Sequence, residues 1–128
     1  MLGNRAAVFL LAYFFVVLYV CFYPWQFRSP PHTAHLHWVP FYSARVILDF
    51  LLNILLYIPL GAAAIVVLGR RGIHLPLVIA LGFVISLGVE WTQRYVPMRS
   101  STFNDLVANT LGAGLGAIAA FEIGRAHV

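Results

Sequence analysis

Residues 94–116 carry most of the side chains in this chain that could take part in chemistry. They place Arg94, Arg99, Asp105 and Asn109 within and beside an otherwise apolar segment. Burying an ionised side chain in hydrocarbon costs at least about 2.5–3.5 kcal/mol on insertion scales, so such residues are rare in apolar chains. We therefore expect these side chains to belong to a polar cluster with a function.

Polar residues also recur at helical spacing in two earlier apolar segments. Residues three and four apart share a helix face, which defines three stripes. In chain order they are Asp49 and Asn53; Ser86, Glu90, Gln93 and Arg94; and Asp105, Asn109, Gly112 and Gly116. Each stripe brings a carboxylate to the same side of the membrane. We predict that the stripes meet in one polar pocket, completed by Arg99 and Thr102.

The pocket combines both signs of charge, which indicates an anion site with acid–base capacity. Arg99, with Arg94 or Arg45, suits a phosphate or carboxylate ligand. Backbone N–H groups near residues 100–102 would add donors at a helix start. Glu90 and Asp105 are the candidate catalytic acid or base.

Three functions remain open at this point. The protein binds an anionic lipid head group or a polyprenyl-linked carrier, or it is an enzyme acting on a lipid-linked phosphoryl group. Alternatively, it is a structural or interaction module whose polar stripes only hold helices together.

Composition predicts the elements that position these residues. The chain has 128 residues, 62% of them hydrophobic and 9% charged, whereas soluble domains carry about 25% charged residues. Because about 20 apolar residues cross a bilayer, we predict one all-α domain, residues 1–128, with four transmembrane helices. Their predicted bounds are about 6–24, 46–69, 74–95 and 103–122.

Particular residues predict how these helices begin and pack. Pro59, with Gly61 close by, predicts a kink or local unwinding in the second helix. Gly112 and Gly116 are spaced for close helix packing. Thr102 is the predicted N-cap of the fourth helix, with Asp105 at the position that completes a capping box.

The arginines predict the orientation in the cytoplasmic membrane. Four spans place both termini on one side, together with Arg5, Arg70, Arg71 and Arg125; the other side has Arg28, Arg45, Arg94 and Arg99. Three of the second group adjoin acids or amides, so we assign them to the polar cluster. The positive-inside rule then predicts cytoplasmic termini and a pocket near the outer face.

The remaining polar residues predict neither a metal site nor a cofactor. His32, His35 and His37 have the one metal-like spacing, but we interpret them as solvated or interfacial. Cys21, the single cysteine, lies in an apolar run and is interpreted as a packing residue. Scattered arginines argue against nucleic acid as a partner. Membrane lipids are the expected partners, and an oligomer is left open.

Residues 45–117 resemble the VanZ-like family of small bacterial membrane proteins. The matching motifs are Asp49-x-x-x-Asn53, Tyr57-Ile58-Pro59-Leu60-Gly61, Ser86-x-x-x-Glu90-x-x-Gln93, Arg99, and Asp105-x-x-x-Asn109-Thr110-Leu111-Gly112 with Gly116. The resemblance implies a multi-span helical protein of bacterial origin. The family takes its name from a protein linked to low-level resistance to teicoplanin, a glycopeptide that binds cell-wall precursor. No agreed mechanism comes with it.

Overall fold

Four long helices make up most of the protein. The computed structural model describes residues 2–97, 99 and 101–126, and Ser100, an expected backbone donor, lies outside this part. The helices are α1 (Leu2–Phe22), α2 (Ala44–Leu68), α3 (His74–Gln93) and α4 (Phe103–Ala126). Each is long and apolar enough to span a membrane, and no strand occurs among the described residues. This confirms the predicted all-α bundle of four transmembrane helices.

The helix ends differ from the predicted bounds by up to four residues. α2 begins at Ala44 because Ser43 caps it, its Oγ accepting the Val46 N–H at 3.4 Å. α4 continues to Ala126, and its last turn contains an ion pair of 2.7 Å between Arg125 and Glu122. Polar helix ends are underestimated from hydropathy because capping and ion pairs continue a helix beyond its apolar core.

α2 remains continuous through Pro59, so the structure shows no local unwinding there, and the kink named as the alternative stays a prediction. Proline removes one backbone donor, which frees the carbonyl of Leu55 four residues earlier, and transmembrane helices tolerate this loss where neighbouring groups satisfy the freed backbone. At the next residue, the Tyr13 hydroxyl of α1 donates to the Leu56 carbonyl at 2.7 Å. This bond joins α1 to α2.

Close backbone contact holds α4 against α2, its most extensive partner. Gly112 lies against the Ile54 carbonyl, Gly116 against the Ile58 carbonyl, and Gly61 against the backbone of Ala113. A Cβ at any of these three glycines would collide with backbone atoms. Small residues at such positions let transmembrane helices approach closely.

The long loop, residues 23–43, lies at the same end of the bundle as the α3–α4 connection. Arg28 N–H donates to the Tyr95 carbonyl at 2.7 Å, and Phe103 N–H donates to the His37 carbonyl at 2.8 Å. The α2–α3 turn lies at the opposite end, where Arg70 Nε donates to the Phe121 carbonyl of α4 at 3.2 Å. The loop end therefore brings together the ends of α2, α3 and α4 that carry the predicted polar residues.

Candidate functional site

A cavity of about 970 Å³ lies at the loop end of the bundle. Its charged lining consists of Asp49, Glu90, Asp105, Arg45 and Arg99. Asn53, Gln93, Asn104 and Thr102 add amides and a hydroxyl. The remaining wall is mainly apolar and includes Val20 of α1 and Leu52, Leu55 and Leu56 of α2. We call this space the polar cavity.

Glu90 connects α3 to the start of α4. Its side chain is only 2% exposed, and its Oε2 accepts the backbone N–H of Thr102 at 3.2 Å. Thr102 caps α4 as predicted, because its Oγ1 accepts the Asp105 N–H at 3.1 Å. In a complete capping box, Asp105 would accept the Thr102 N–H. Glu90 accepts that bond instead, which leaves the Asp105 carboxylate available to the polar cavity.

Asn53 bridges the stripes of α2 and α4. Its Nδ2 lies 3.1 Å from Asp105 Oδ1 and 2.9 Å from the Asp49 carbonyl, and donates to both. The two donors of one amide therefore hold the Asp105 carboxylate next to the first turns of α2. This arrangement fixes one carboxylate oxygen and leaves further acceptor capacity in the cavity.

Ser86 and Asn109 form a separate buried contact between α3 and α4. Asn109 Nδ2 donates to Ser86 Oγ at 2.9 Å, and both side chains are almost fully buried. Neither residue lines the polar cavity. The bond is of the kind that joins transmembrane helices.

Arg94 is directed away from the polar cavity and into the long loop. Its Nη1 donates to the carbonyls of Thr33 at 3.2 Å and Ala34 at 3.1 Å. Its guanidinium carbon lies 3.5 Å from the Trp91 ring centroid, a cation–π arrangement. The structure thus separates Arg94 from the other predicted pocket residues and places it where it fixes the loop.

Asn104, which was not among the predicted site residues, fixes the same loop from α4. Its Nδ2 donates to the Val39 carbonyl at 2.7 Å, and its Oδ1 accepts the Val39 N–H at 2.8 Å. The signal that could have identified Asn104 is its amide side chain in the first turn of a helix that follows a polar connection. Asn104 therefore closes one side of the polar cavity with the loop backbone.

The histidines of the loop contact different parts of the protein. The rings of His35 and His37 have centroids 4.6 Å apart, while His32 Nε2 lies 3.2 Å from the Gln93 carbonyl oxygen. Within the described part of the chain, no three His, Cys, Asp or Glu side chains are grouped to hold a metal ion.

Seven of the ten predicted pocket residues line the polar cavity: Asp49, Asn53, Glu90, Gln93, Arg99, Thr102 and Asp105. The cavity has two chemically distinct regions, one charged and one aliphatic. Arginines offer charged donors to a phosphate, and the carboxylates offer acceptors to a cationic or hydroxyl group. The aliphatic side chains of α1 and α2 offer a surface for hydrocarbon.

The comparison with known families gives a match over most of the chain. A family model described as VanZ/LLP1 matches residues 9–124. No curated protein and no solved structure matches the chain.

Proposed function

Starting from the fact that this chain belongs to the VanZ-like (VanZ/LLP1) family of membrane proteins, we propose that it binds a phosphate-bearing envelope lipid. The ligand is an anionic lipid or a lipid-linked cell-wall precursor, with its head group in the polar cavity. Binding modulates sensitivity to glycopeptides such as teicoplanin. The observation that carries the proposal is the presence of two arginines and an aliphatic wall in one cavity.

Arg45 and Arg99 are suited to the phosphate. Both line the polar cavity, and neither forms an ion pair with another residue in the described part of the chain, where the single ion pair is Arg125–Glu122. A guanidinium binds phosphate through two parallel N–H bonds, which gives orientation as well as affinity. Arg45 lies in the first turn of α2 and Arg99 just before α4, so both are near the helix ends, where we place the lipid head groups.

The aliphatic wall is suited to the ligand's hydrocarbon chain. Val20, Leu52 and Leu55 line the cavity and are also 43%, 51% and 60% exposed. In a membrane, such side chains face lipid tails. A lipid could therefore place its head group beside the arginines while its tail leaves between α1 and α2.

The link to glycopeptides depends on the orientation, for which Arg94 adds support. Arg94 is 5% exposed and its guanidinium donates to two loop carbonyls, so we leave it out when the arginines on the two sides of the membrane are compared by the positive-inside rule. The remaining bias favours a polar cavity at the outer face. Teicoplanin acts on cell-wall precursor from that side, so a protein that holds precursor or neighbouring lipid there would alter drug access.

The first test compares the variant Arg99→Ala with the control Arg125→Ala. Arg125 lies at the opposite end of the bundle. Hydrogen bonds to charged groups contribute about 1.5–3 kcal/mol, so Arg99→Ala should weaken phosphatidylglycerol binding roughly 10- to 150-fold. Arg125→Ala should bind as the wild type does. Binding is measured on the purified full chain in detergent by native mass spectrometry, with membrane abundance determined by immunoblot.

The same variants should be compared for teicoplanin susceptibility at equal abundance. A shift with Arg99→Ala but not with Arg125→Ala supports the proposed role in drug sensitivity. Unchanged lipid binding in Arg99→Ala contradicts the phosphate site, and loss of folded protein assigns Arg99 to the structure of the bundle. A changed head group on the bound lipid would instead favour the enzyme.

A further inference from the structure

We propose that the head group held in the polar cavity carries a primary ammonium group in addition to its phosphate. Glu90, Gln93 and Asp105 accept the N–H bonds of that ammonium group, while the arginines hold the phosphate. This inference rests on the proposed phosphate site. Among phosphate-bearing ligands it selects those that also bear an ammonium group, and a phospholipid of this kind is zwitterionic rather than anionic.

The balance of charged side chains around the polar cavity favours a ligand that carries a cationic group. Three carboxylates, on Asp49, Glu90 and Asp105, face two guanidiniums, on Arg45 and Arg99. None of these five groups is in an ion pair with another residue that the structure describes. A ligand with phosphate alone would add negative charge to a space in which the two guanidiniums already face three carboxyl groups, which is unfavourable. An ammonium group on the same ligand offsets this charge.

Gln93 supplies an independent sign of a missing donor. The side chain is 4% exposed, and its Nε2 donates to the Cys21 carbonyl at 2.7 Å. A carbonyl can only accept, so this bond fixes which end of the amide is nitrogen. The opposite end, Oε1, is buried and has no hydrogen-bond partner among the described residues. Buried oxygens of this kind are normally satisfied, so Gln93, which lines the polar cavity, has an acceptor left without a donor in the described part of the chain.

Glu90 and Asp105 also have hydrogen-bond acceptor positions without a donor in that part of the chain. Glu90 lies one helical turn from Gln93. Among the residues that the structure describes, its side chain accepts one bond, from the Thr102 N–H, and that of Asp105 accepts one, from Asn53 Nδ2. An ionised carboxylate offers about four lone-pair positions. The three donors of a primary ammonium group match three such acceptors, whereas a quaternary ammonium group has no N–H to donate.

The test ranks three lipids with identical acyl chains on the full-length protein in detergent. Phosphatidylethanolamine has a primary ammonium, phosphatidylcholine a quaternary one, and phosphatidylglycerol none. Charged hydrogen bonds make the expected preference for phosphatidylethanolamine over phosphatidylcholine at least about tenfold. Glu90→Gln and Asp105→Asn keep the side-chain shape and should reduce this preference, while Glu122→Gln, at the exposed end of α4, should keep it.

The outcomes separate this inference from the proposed function. If phosphatidylcholine or phosphatidylglycerol binds the wild type as tightly as phosphatidylethanolamine, the ammonium site is overturned. The phosphate site still stands in that case if Arg99→Ala weakens all three lipids. If no lipid binds saturably, both proposals fail. Should Glu90→Gln not fold, the wild-type ranking and Asp105→Asn still decide the question.

A further pair of ligands distinguishes the possible sources of this head group. A lipid-linked peptide precursor with a free amine is compared with the same precursor after acetylation of the amine. Preference for the free amine, with tighter binding than phosphatidylethanolamine, identifies the precursor as the ligand. Tighter binding of phosphatidylethanolamine identifies a membrane phospholipid.

Discussion

At the scale of single residues, the buried polar groups of this protein have two different environments. Glu90 and Asp105 meet at the start of α4 and line the polar cavity. Ser86 and Asn109 bond to each other between α3 and α4, away from that cavity. A polar group that faces a cavity can exchange its partner for a ligand, whereas one enclosed between helices has only its protein partner. We therefore assign the first pair to binding and the second to stability.

Ser86→Ala should lower the stability of the bundle by about 0.6–2 kcal/mol, the range measured for hydrogen bonds between transmembrane helices. Its hydroxyl accepts the Asn109 N–H bond, which the variant leaves unsatisfied. Thr92→Ala is the control, because Thr92 Oγ1 bonds only to the Gly88 carbonyl of its own helix. Thermal unfolding in detergent measures the difference. Equal midpoints for the two variants would contradict the assigned role of Ser86.

At the scale of elements, contact between α2 and α4 positions the residues around the polar cavity. Asn53 of α2 reaches Asp105 at 3.1 Å, near the loop-end side of this interface. Gly112 and Gly116 lie farther along α4, where their lack of side chains lets the α2 backbone approach. The separation set by these glycines therefore determines whether Asn53 can reach its partner. Packing inside the membrane and geometry at its surface are coupled through α4.

Gly112→Ala tests this coupling, with Gly88→Ala as the matched control. A Cβ at Gly112 would collide with the Ile54 backbone and with Tyr57 Cβ, whereas at Gly88 it would meet nothing within 4 Å. Overpacking costs about 1–3 kcal/mol, while alanine is a better helix former than glycine by about 1 kcal/mol. We expect lower thermal stability and weaker lipid binding for Gly112→Ala, and unchanged or higher stability for Gly88→Ala. Equal behaviour would show that the interface can relax.

The elements could be predicted from the sequence to the extent that their causes are local. Hydropathy predicted four helices because each span needs its own apolar run, and the N-cap at Thr102 was predicted because capping acts within one turn. The partners of Arg94 could not be found in this way. Helical spacing placed it one turn from Glu90, but its long side chain reaches carbonyls of Thr33 and Ala34, about sixty residues earlier in the chain. Those contacts depend on the path of the loop.

At the scale of the whole molecule, the two ends of the bundle differ in structure. The loop end contains the polar cavity, the long loop and the α3–α4 connection, joined by the bonds of Arg94 and Asn104. The other end has a short turn after α2, where Arg70 reaches the Phe121 carbonyl of α4. If the loop end faces outward, the cavity can take lipid or precursor from the outer leaflet. Orientation is therefore the property on which the proposed link to glycopeptides depends.

Single cysteines at the two ends should reveal this orientation. Cys21 is the protein's only cysteine and is buried, so the wild type should react slowly with a membrane-impermeant maleimide. Gln26→Cys places an exposed thiol in the long loop, and Gly72→Cys places one in the α2–α3 turn. Both sites are exposed, so neither change should disturb packing. In intact spheroplasts we expect labelling of Gln26→Cys, and labelling of Gly72→Cys only after permeabilisation, because Arg5, Arg70, Arg71 and Arg125 bias their end to the cytoplasm. The reverse pattern would place the polar cavity in the cytoplasm, where it could still bind lipid but not intercept a drug that acts from outside.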